Sequence, residues 1–344
     1  MNDILRMQET EANKAFAKFV MNNYLTWTGS GTEEKPLLSP SLFSKKILPH
    51  LTKGKPLFFI LIDNMRFDQW KTISAELSGL FHIIEEDIYF SILPTATQYS
   101  RNSIFAGLMP SAISDILPGL WIKDDEEEGK NLHEEELLKH QLARKGISIK
   151  WTYNKITSSQ GGKKVNERIR QMLDNDLNIL VYNFVDMLSH ARTEMDLIRD
   201  LAGDESAYRS LTRSWFIHSP LYEMLNTLSA HSARIVISTD HGTIRVQNPV
   251  KIVGDRKTSS NLRYKLGRNL DYDPGKVFEL KNPEKAGLPK TNISSRYIFA
   301  LGSDFLIYQN NFNYYANYYR DTFQHGGISM QEMMLPVVFL EPVT

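Results

Sequence analysis

No cysteine occurs among the 344 residues. Disulfides and thiolate-held metals are therefore excluded, and a metal here would have to be bound by histidine, carboxylate or hydroxyl oxygen. An excess of either charge is also missing. Forty lysines and arginines offset forty aspartates and glutamates, so no global field favours nucleic acid or a membrane surface, and attraction of anions must be local. No stretch approaches the roughly 18 uncharged apolar residues of a transmembrane helix. The opening Met1-Asn2-Asp3-Ile4-Leu5-Arg6 lacks the apolar core of a signal peptide. A soluble cytoplasmic protein without membrane insertion is expected.

What is present is an ordinary globular balance, 42% hydrophobic and 23% charged residues, able to bury a large core. Residues 3–27 have the spacing of an amphipathic helix, with Ile4, Phe16, Phe19, Val20 and Tyr24 on one face and Gly29-Ser30-Gly31 ending the run. Residues 30–40, with Pro36 and Pro40, read as a linker. We expect residues 1–34 to form a helical arm that packs on its own domain or docks on a partner or a second copy, and 35–344 to form the main domain.

From residue 55 short apolar runs alternate with helical stretches. Leu57–Ile62 runs into Asp63, Ile179–Val185 into Asp186, and Ile235–Ile237 leads through Ser238-Thr239 to Asp240. Helices are expected near 134–144, 166–174 and 214–230, and a last strand at Pro336–Leu340. This pattern predicts an α/β fold with a doubly wound, mainly parallel sheet. Two segments interrupt it. Asp124–Glu128 and Glu134–Glu136 form an acidic run, read as a solvated loop and helix start. Residues 243–324 read as an insertion, or cap, carrying basic Lys251, Arg256, Lys257, Arg263, Lys265 and Arg268. Those side chains make either a solvated loop or a surface that grips phosphate.

Asp63, Asp186 and Asp240 converge if their strands are parallel neighbours, since ligands collect at the carboxyl ends of such strands. Carboxylates held that close repel one another, and a divalent cation relieves the repulsion. Around them stand further metal-ligand types: His190, four residues after Asp186 on an expected helix; His241, next to Asp240 and before Gly242; and His325, before Gly326-Gly327. A hydroxyl nucleophile is offered by Thr95 or Thr97, where a strand stops at Pro94 and a helix begins. The bland reading of either is an N-cap.

In order, the motifs are Ile62-Asp63, Pro94-Thr95-Ala96-Thr97, Asp186-Met187-Leu188-Ser189-His190, Asp240-His241-Gly242 and His325-Gly326-Gly327-Ile328-Ser329-Met330-Gln331-Glu332. Together they resemble the alkaline phosphatase superfamily of two-metal hydrolases. The opening Asp63-Asn64-Met65-Arg66-Phe67-Asp68-Gln69-Trp70 and the closing stretch from His325 to Pro336 are similar to its PglZ branch. The match is nearest to the effector region of PorX-type response regulators linked to type IX secretion. Relative to that family the upstream receiver domain is absent, so a truncated chain is expected, with the first helix as a connector remnant.

The resemblance implies two zinc ions per chain. Asp186, His190 and His325 would hold one; Asp63, Asp240, His241 and the hydroxyl of Thr97 would hold the other. It selects Thr97 as nucleophile, ten residues before Gly107. Where many relatives carry asparagine three residues later this chain has Ser100, a departure that leaves the oxyanion contact unassigned, with Arg101 and Asn102 as its candidates. Ligands for a third metal are not evident, which favours diesters, so the expected activity is a zinc-dependent phosphodiesterase acting on short or cyclic oligonucleotides. Lys251, Arg256, Lys257, Arg263 and Arg268 would hold a second phosphate. The alternatives are a phosphomonoesterase, or a metal- and nucleotide-binding regulatory module working through signalling or secretion proteins, with homodimerisation through the first helix.

Overall fold

The structure is a computed structural model that describes residues 2–29, 31, 35–122, 131–194, 204–231, 233–255, 258–290, 292 and 294–343, with side chains described for all of these except 2, 3 and 190–194. Its centre is a six-stranded sheet of β1 (Leu57–Ile62), β2 (Phe81–Phe90), β3 (Trp151–Ile156), β4 (Leu177–Tyr182), β5 (Arg234–Ser238) and β6 (Met334–Pro342). The spatial order is β2-β6-β5-β1-β4-β3. The pairs β3/β4, β4/β1 and β1/β5 are parallel, and β6 runs antiparallel between β5 and β2. The expected α/β fold with a mainly parallel sheet is what the chain adopts.

β1 shows why these runs are uninterrupted. Leu57, Phe59 and Leu61 enter one core; Phe58, Ile60 and Ile62 enter the other. A strand buried on both faces has no place for a polar residue until it leaves the sheet. The first core takes the helices Thr97–Ala106 and Glu134–Arg144, the second the helices Phe67–Ser74, Glu205–Ile217 and Pro220–Ser229. Several expected boundaries shift. The strand before Asp186 ends at Tyr182, and Asp186 sits in the first turn of the helix Phe184–Glu194. The helix expected at 214–230 is two helices, separated at His218-Ser219 before Pro220. The acidic residues 124–128 lie outside the described residues.

Between β5 and β6, short strands build two three-stranded sheets, one containing Val277–Leu280, Arg296–Ala300 and Tyr264–Gly267 and the other Asp304–Tyr308, Asn248–Val253 and Asp271–Tyr272. Ile244–Arg245 pairs with Phe323–Gln324 at their base. That pairing returns the chain to the sheet edge next to where it left, and so brings His325 back toward His241.

The N-terminal helix, Asn2–Thr28, packs into the first core through Phe16, Ala17, Val20, Tyr24 and Trp27. Ile4 and Phe19, expected on the same face, are exposed instead. Two of its polar side chains hold the loops that carry the candidate site. The buried Tyr24 hydroxyl accepts the Leu93 N–H at 2.7 Å, and Asn13 accepts the Met330 N–H at 2.9 Å. Replacing Tyr24 by phenylalanine strands the Leu93 donor and is expected to cost about 1–2 kcal/mol. Tyr24→Ala adds a cavity, for a total of about 3–5 kcal/mol. Urea unfolding measures both; no change for Tyr24→Ala would detach this helix from the domain.

Candidate metal centre

β1 lies between β4 and β5 in register, with Ile62 opposite Tyr182 and Leu61 opposite Ser238. The three strands therefore end at one edge, and the residues that follow them meet there. Asp63 and Asp240 are fully buried, as is His241. One potential ligand atom from each lies within 4.8 Å of the others. His241 Nε2 stands 3.8 Å from Asp63 Oδ1 and 3.8 Å from Asp240 Oδ2. Two donors bound at about 2.0–2.2 Å to one tetrahedral zinc would be roughly 3.3–3.6 Å apart, so the spacing suits one small divalent ion. Asp63 Oδ1 is buried with no hydrogen-bond partner, a cost that a cation would remove. Both observations fit a metal held by these residues.

Charge argues in the same direction. Burial lifts the Asp63 carboxyl well above its ordinary range, and Asp240 and Asp186 add to the rise against the pull of Arg101. Burial also opposes ionisation of Asp240, but Arg101, His241 and the Asn64 N–H outweigh it and hold that carboxyl down at about 2. One guanidinium serves two carboxylates, which leaves the pair short of positive charge.

His241 is aimed by its surroundings. Its Nδ1 lies 3.3 Å from the Gly242 carbonyl oxygen, so a proton placed there leaves the Nε2 lone pair facing the aspartates. Gly242 is needed because the closing segment passes against it: its N–H donates to Glu332 O, and a Cβ would stand 2.0 Å from Gln331 O. The Thr97 hydroxyl is 3.0 Å from His241 Nε2. Thr97 opens the helix Thr97–Ala106 after extended Ala96, the end of a helix that favours an anion. Thr95 has other work. It accepts the Gly326 N–H, donates to Gly327 O, and its carbonyl lies 3.1 Å from His325 Nδ1. Thr95 thus staples the His325 segment to the loop bearing Thr97.

Of the second proposed set, Asp186 and His325 lie beside this cluster. Asp186 Oδ1 accepts from the Asn64 amide at 3.2 Å, and the His325 ring stacks on His241 at 4.3 Å. The side chain of His190 lies outside the described residues. Among the described residues the only three-ligand cluster is Asp63-Asp240-His241.

Sequence reasoning missed two participants. Asn64, in the left-handed region at φ 64°, gives its N–H to Asp240 and its side chain to Asp186 and Ser189. Its position directly after the strand-ending Asp63 was the available signal. Glu134, read as part of a solvated acidic run, is buried, while its neighbours Glu135 and Glu136 face solvent. It binds Arg101, Lys155 and the Tyr153 hydroxyl.

The proposed substrate contacts distribute unevenly. Arg101 is fully buried against Asp63, Asp240 and Glu134, and Asn102 is buried on the same helix. Arg263 is also buried, donating to both oxygens of Glu332 at 3.1 and 2.6 Å. Lys251 and Arg268 are exposed, Arg268 facing Asp255 at 3.7 Å. Arg256 and Lys257 lie outside the described residues. A cleft of about 1020 Å³, lined by Asn13, Arg66, Arg209, Arg245, Lys276 and Gln331, lies elsewhere, and none of the candidate ligands lines it.

A family model described as the BREX system PglZ alkaline phosphatase-like domain matches residues 42–340. A second, described as the PorX response regulator linker domain, matches residues 1–28. No curated protein matches significantly. Among solved structures, murine ectonucleotide pyrophosphatase/phosphodiesterase 5 is similar at a TM-score of 0.53 and 11% identity, covering 84% of this chain and 88% of that one. The same figures hold for a threonine-to-alanine form of the murine protein described as inactive and in complex with AMP. The human counterpart gives 0.52 and 11%, over 83% and 87%.

The inward turn of the basic segment has a measurable consequence at Lys265. It is 1% exposed, donates to Ser260 O at 3.2 Å and lies 4.5 Å over the Tyr308 ring, with no carboxylate partner among the described residues. Burial lowers its pKa from 10.5 to about 7. Between those values the unfolded chain binds a proton that the folded chain lacks, so stability rises with pH across that window. Lys265→Met is expected to exceed the wild type at pH 7 by on the order of a few kcal/mol, with the gap closing by about pH 10. Denaturant unfolding across pH checks this; parallel pH curves would refute it.

Proposed function

This chain belongs to the PglZ alkaline phosphatase-like domain family, and from that premise we propose that it is a zinc-dependent phosphodiesterase acting on nucleotide diesters through Thr97. The observation that carries the reading is the position of the Thr97 hydroxyl. Thr97 is partly exposed at a helix start, while Asp63, Asp240 and His241 are buried. Of the residues in this cluster, Thr97 is the one with exposed surface for a bulky phosphodiester to approach.

Asp63, Asp240, His241 and Thr97 would hold one zinc; Asp186, His190 and His325 would hold the other. When bound, the metal supplies Lewis-acid stabilisation of phosphoryl oxygens and eases deprotonation of a hydroxyl. The residues of the chain do the rest. Thr97 Oγ1, having given up its proton, would attack phosphorus in line. The P–O bond to the leaving oxygen breaks and the departing alkoxide takes up a proton to leave as the alcohol. Water later hydrolyses the threonyl phosphodiester, restoring the hydroxyl and releasing a phosphomonoester. The opening turn of the Thr97 helix favours the phosphate charge. Thr95, through Gly326 and Gly327, keeps His325 beside the nucleophile loop. Asn64 fixes Asp240 and Asp186 relative to each other. The fold shared with an ectonucleotide pyrophosphatase/phosphodiesterase, one form of which is described in complex with AMP, supports the substrate class; the role of Thr97 rests on its place in this site and on the sequence resemblance. The linker match at residues 1–28 supports a place as effector in a two-component regulator; control of type IX secretion rests on the sequence resemblance.

With zinc, the wild type is expected to hydrolyse bis-p-nitrophenyl phosphate and dinucleotides faster than p-nitrophenyl phosphate. Thr97→Ala should lower kcat on the diester by on the order of 10³-fold or more. Equal turnover by both proteins would remove Thr97 as nucleophile, and a strong preference for the monoester would replace the diesterase reading.

A further inference from the structure

Arg101 is a fully buried cation at the back of the proposed metal site. Its guanidinium reaches three acidic side chains from three nitrogens: Nε to Asp240 Oδ2 at 2.9 Å, Nη2 to Asp63 Oδ2, and Nη1 to Glu134 Oε1 at 3.2 Å. Glu134 is braced in turn by the Tyr153 hydroxyl and by Lys155 Nζ at 3.0 Å. Only a planar fork offers donors in these separate directions at fixed angles; a lysine ammonium could not. On Asp63 the contacts are divided between the two oxygens. Asp63 turns Oδ2 to Arg101, while its unpartnered Oδ1 faces His241. On Asp240 a single oxygen serves both neighbours, Oδ2 lying 2.9 Å from Arg101 Nε and 3.8 Å from His241 Nε2, so the guanidinium shares that oxygen with the candidate site and leaves Asp63 Oδ1 to a ligand.

We propose that Arg101 is a positioning residue for the metal, a built-in counter-cation that holds Asp63 and Asp240 in ligating position whether or not the ion is bound. Two buried carboxylates without a cation would repel each other and draw in protons or water. Arg101 supplies part of the missing charge and sets the direction of both side chains. The metal supplies the remainder. This role replaces the substrate contact expected for Arg101 from sequence, and it rests on the metal reading given above.

The test compares the full chain with Arg101→Met and Arg101→Lys, each treated with chelator and then titrated with zinc, following the thermal midpoint. A residue that only props the fold would lower the metal-free and zinc-saturated midpoints equally. A counter-cation whose duty the metal shares behaves differently. The metal-free midpoint of Arg101→Met should fall by about 5–10 °C, and zinc should raise it at least twice as far as it raises the wild type. Folding of Arg101→Met only when zinc is present is the same result in its extreme form. If Arg101→Met folds under neither condition, Arg101→Lys decides. Its single ammonium cannot reproduce the fork that pairs with both aspartates, so one carboxylate is left uncompensated and its zinc-induced rise should still exceed that of the wild type. Equal rises in wild type and variant overturn the proposal while leaving the metal site intact. No zinc-induced rise in the wild type itself overturns the metal reading and this inference together.

Discussion

Two buried aspartates sharing one guanidinium are the constraint around which this molecule is arranged. Asp63 and Asp240 follow adjacent parallel strands, so the sheet places them together without regard to their charge. The central strands are too apolar to accept a carboxylate any earlier, and the chain cannot move these groups into solvent without breaking strand register. The charge must be answered in place. Arg101 answers part of it from the Thr97 helix, and Glu134 fixes Arg101 from a neighbouring helix. Beside that pairing a carboxylate oxygen of Asp63, the His241 imidazole and the Thr97 hydroxyl are turned toward one another, donor types that suit a divalent metal without thiolates.

The loops that carry this set are held from outside the sheet. The N-terminal helix ties down both the segment before Thr95 and the segment after His325, through Tyr24 and Asn13. Thr95 ties those two segments to each other, and Glu332 closes the end by accepting the Gly327 N–H at 2.9 Å along with both donors of Arg263. A helix that matches a response regulator linker is thus in direct hydrogen-bond contact with the segments flanking the candidate nucleophile.

Much of the frame was legible in the sequence. Uninterrupted apolar runs ending in aspartate mark doubly buried parallel strands, and Asp240-His241-Gly242 pointed to an edge where ligands meet. The inward turns were not legible. Arg263 and Lys265 sit in a basic stretch indistinguishable in composition from a phosphate-gripping loop, yet both are buried, one against Glu332 and the other over Tyr308. Glu134 stands first in a run of glutamates, and only its register on the helix Glu134–Arg144 separates it from its exposed neighbours. Asp186 moved from a strand end to a helix start because the strand stops at Tyr182. In each case tertiary packing, not local pattern, decides which way a charged side chain faces.

We propose Asp63, Asp240 and His241 as the ligands of a divalent metal within reach of Thr97, and the mechanism stands or falls with that assignment. Anomalous diffraction at the zinc edge, from crystals of protein purified with zinc and without chelator, tests it most directly. A strong anomalous peak is expected bounded by Asp63 Oδ1, Asp240 and His241 Nε2, with Arg101 still paired behind it. A peak anywhere else in the molecule, with those three side chains hydrogen-bonded only to protein and water, would contradict it.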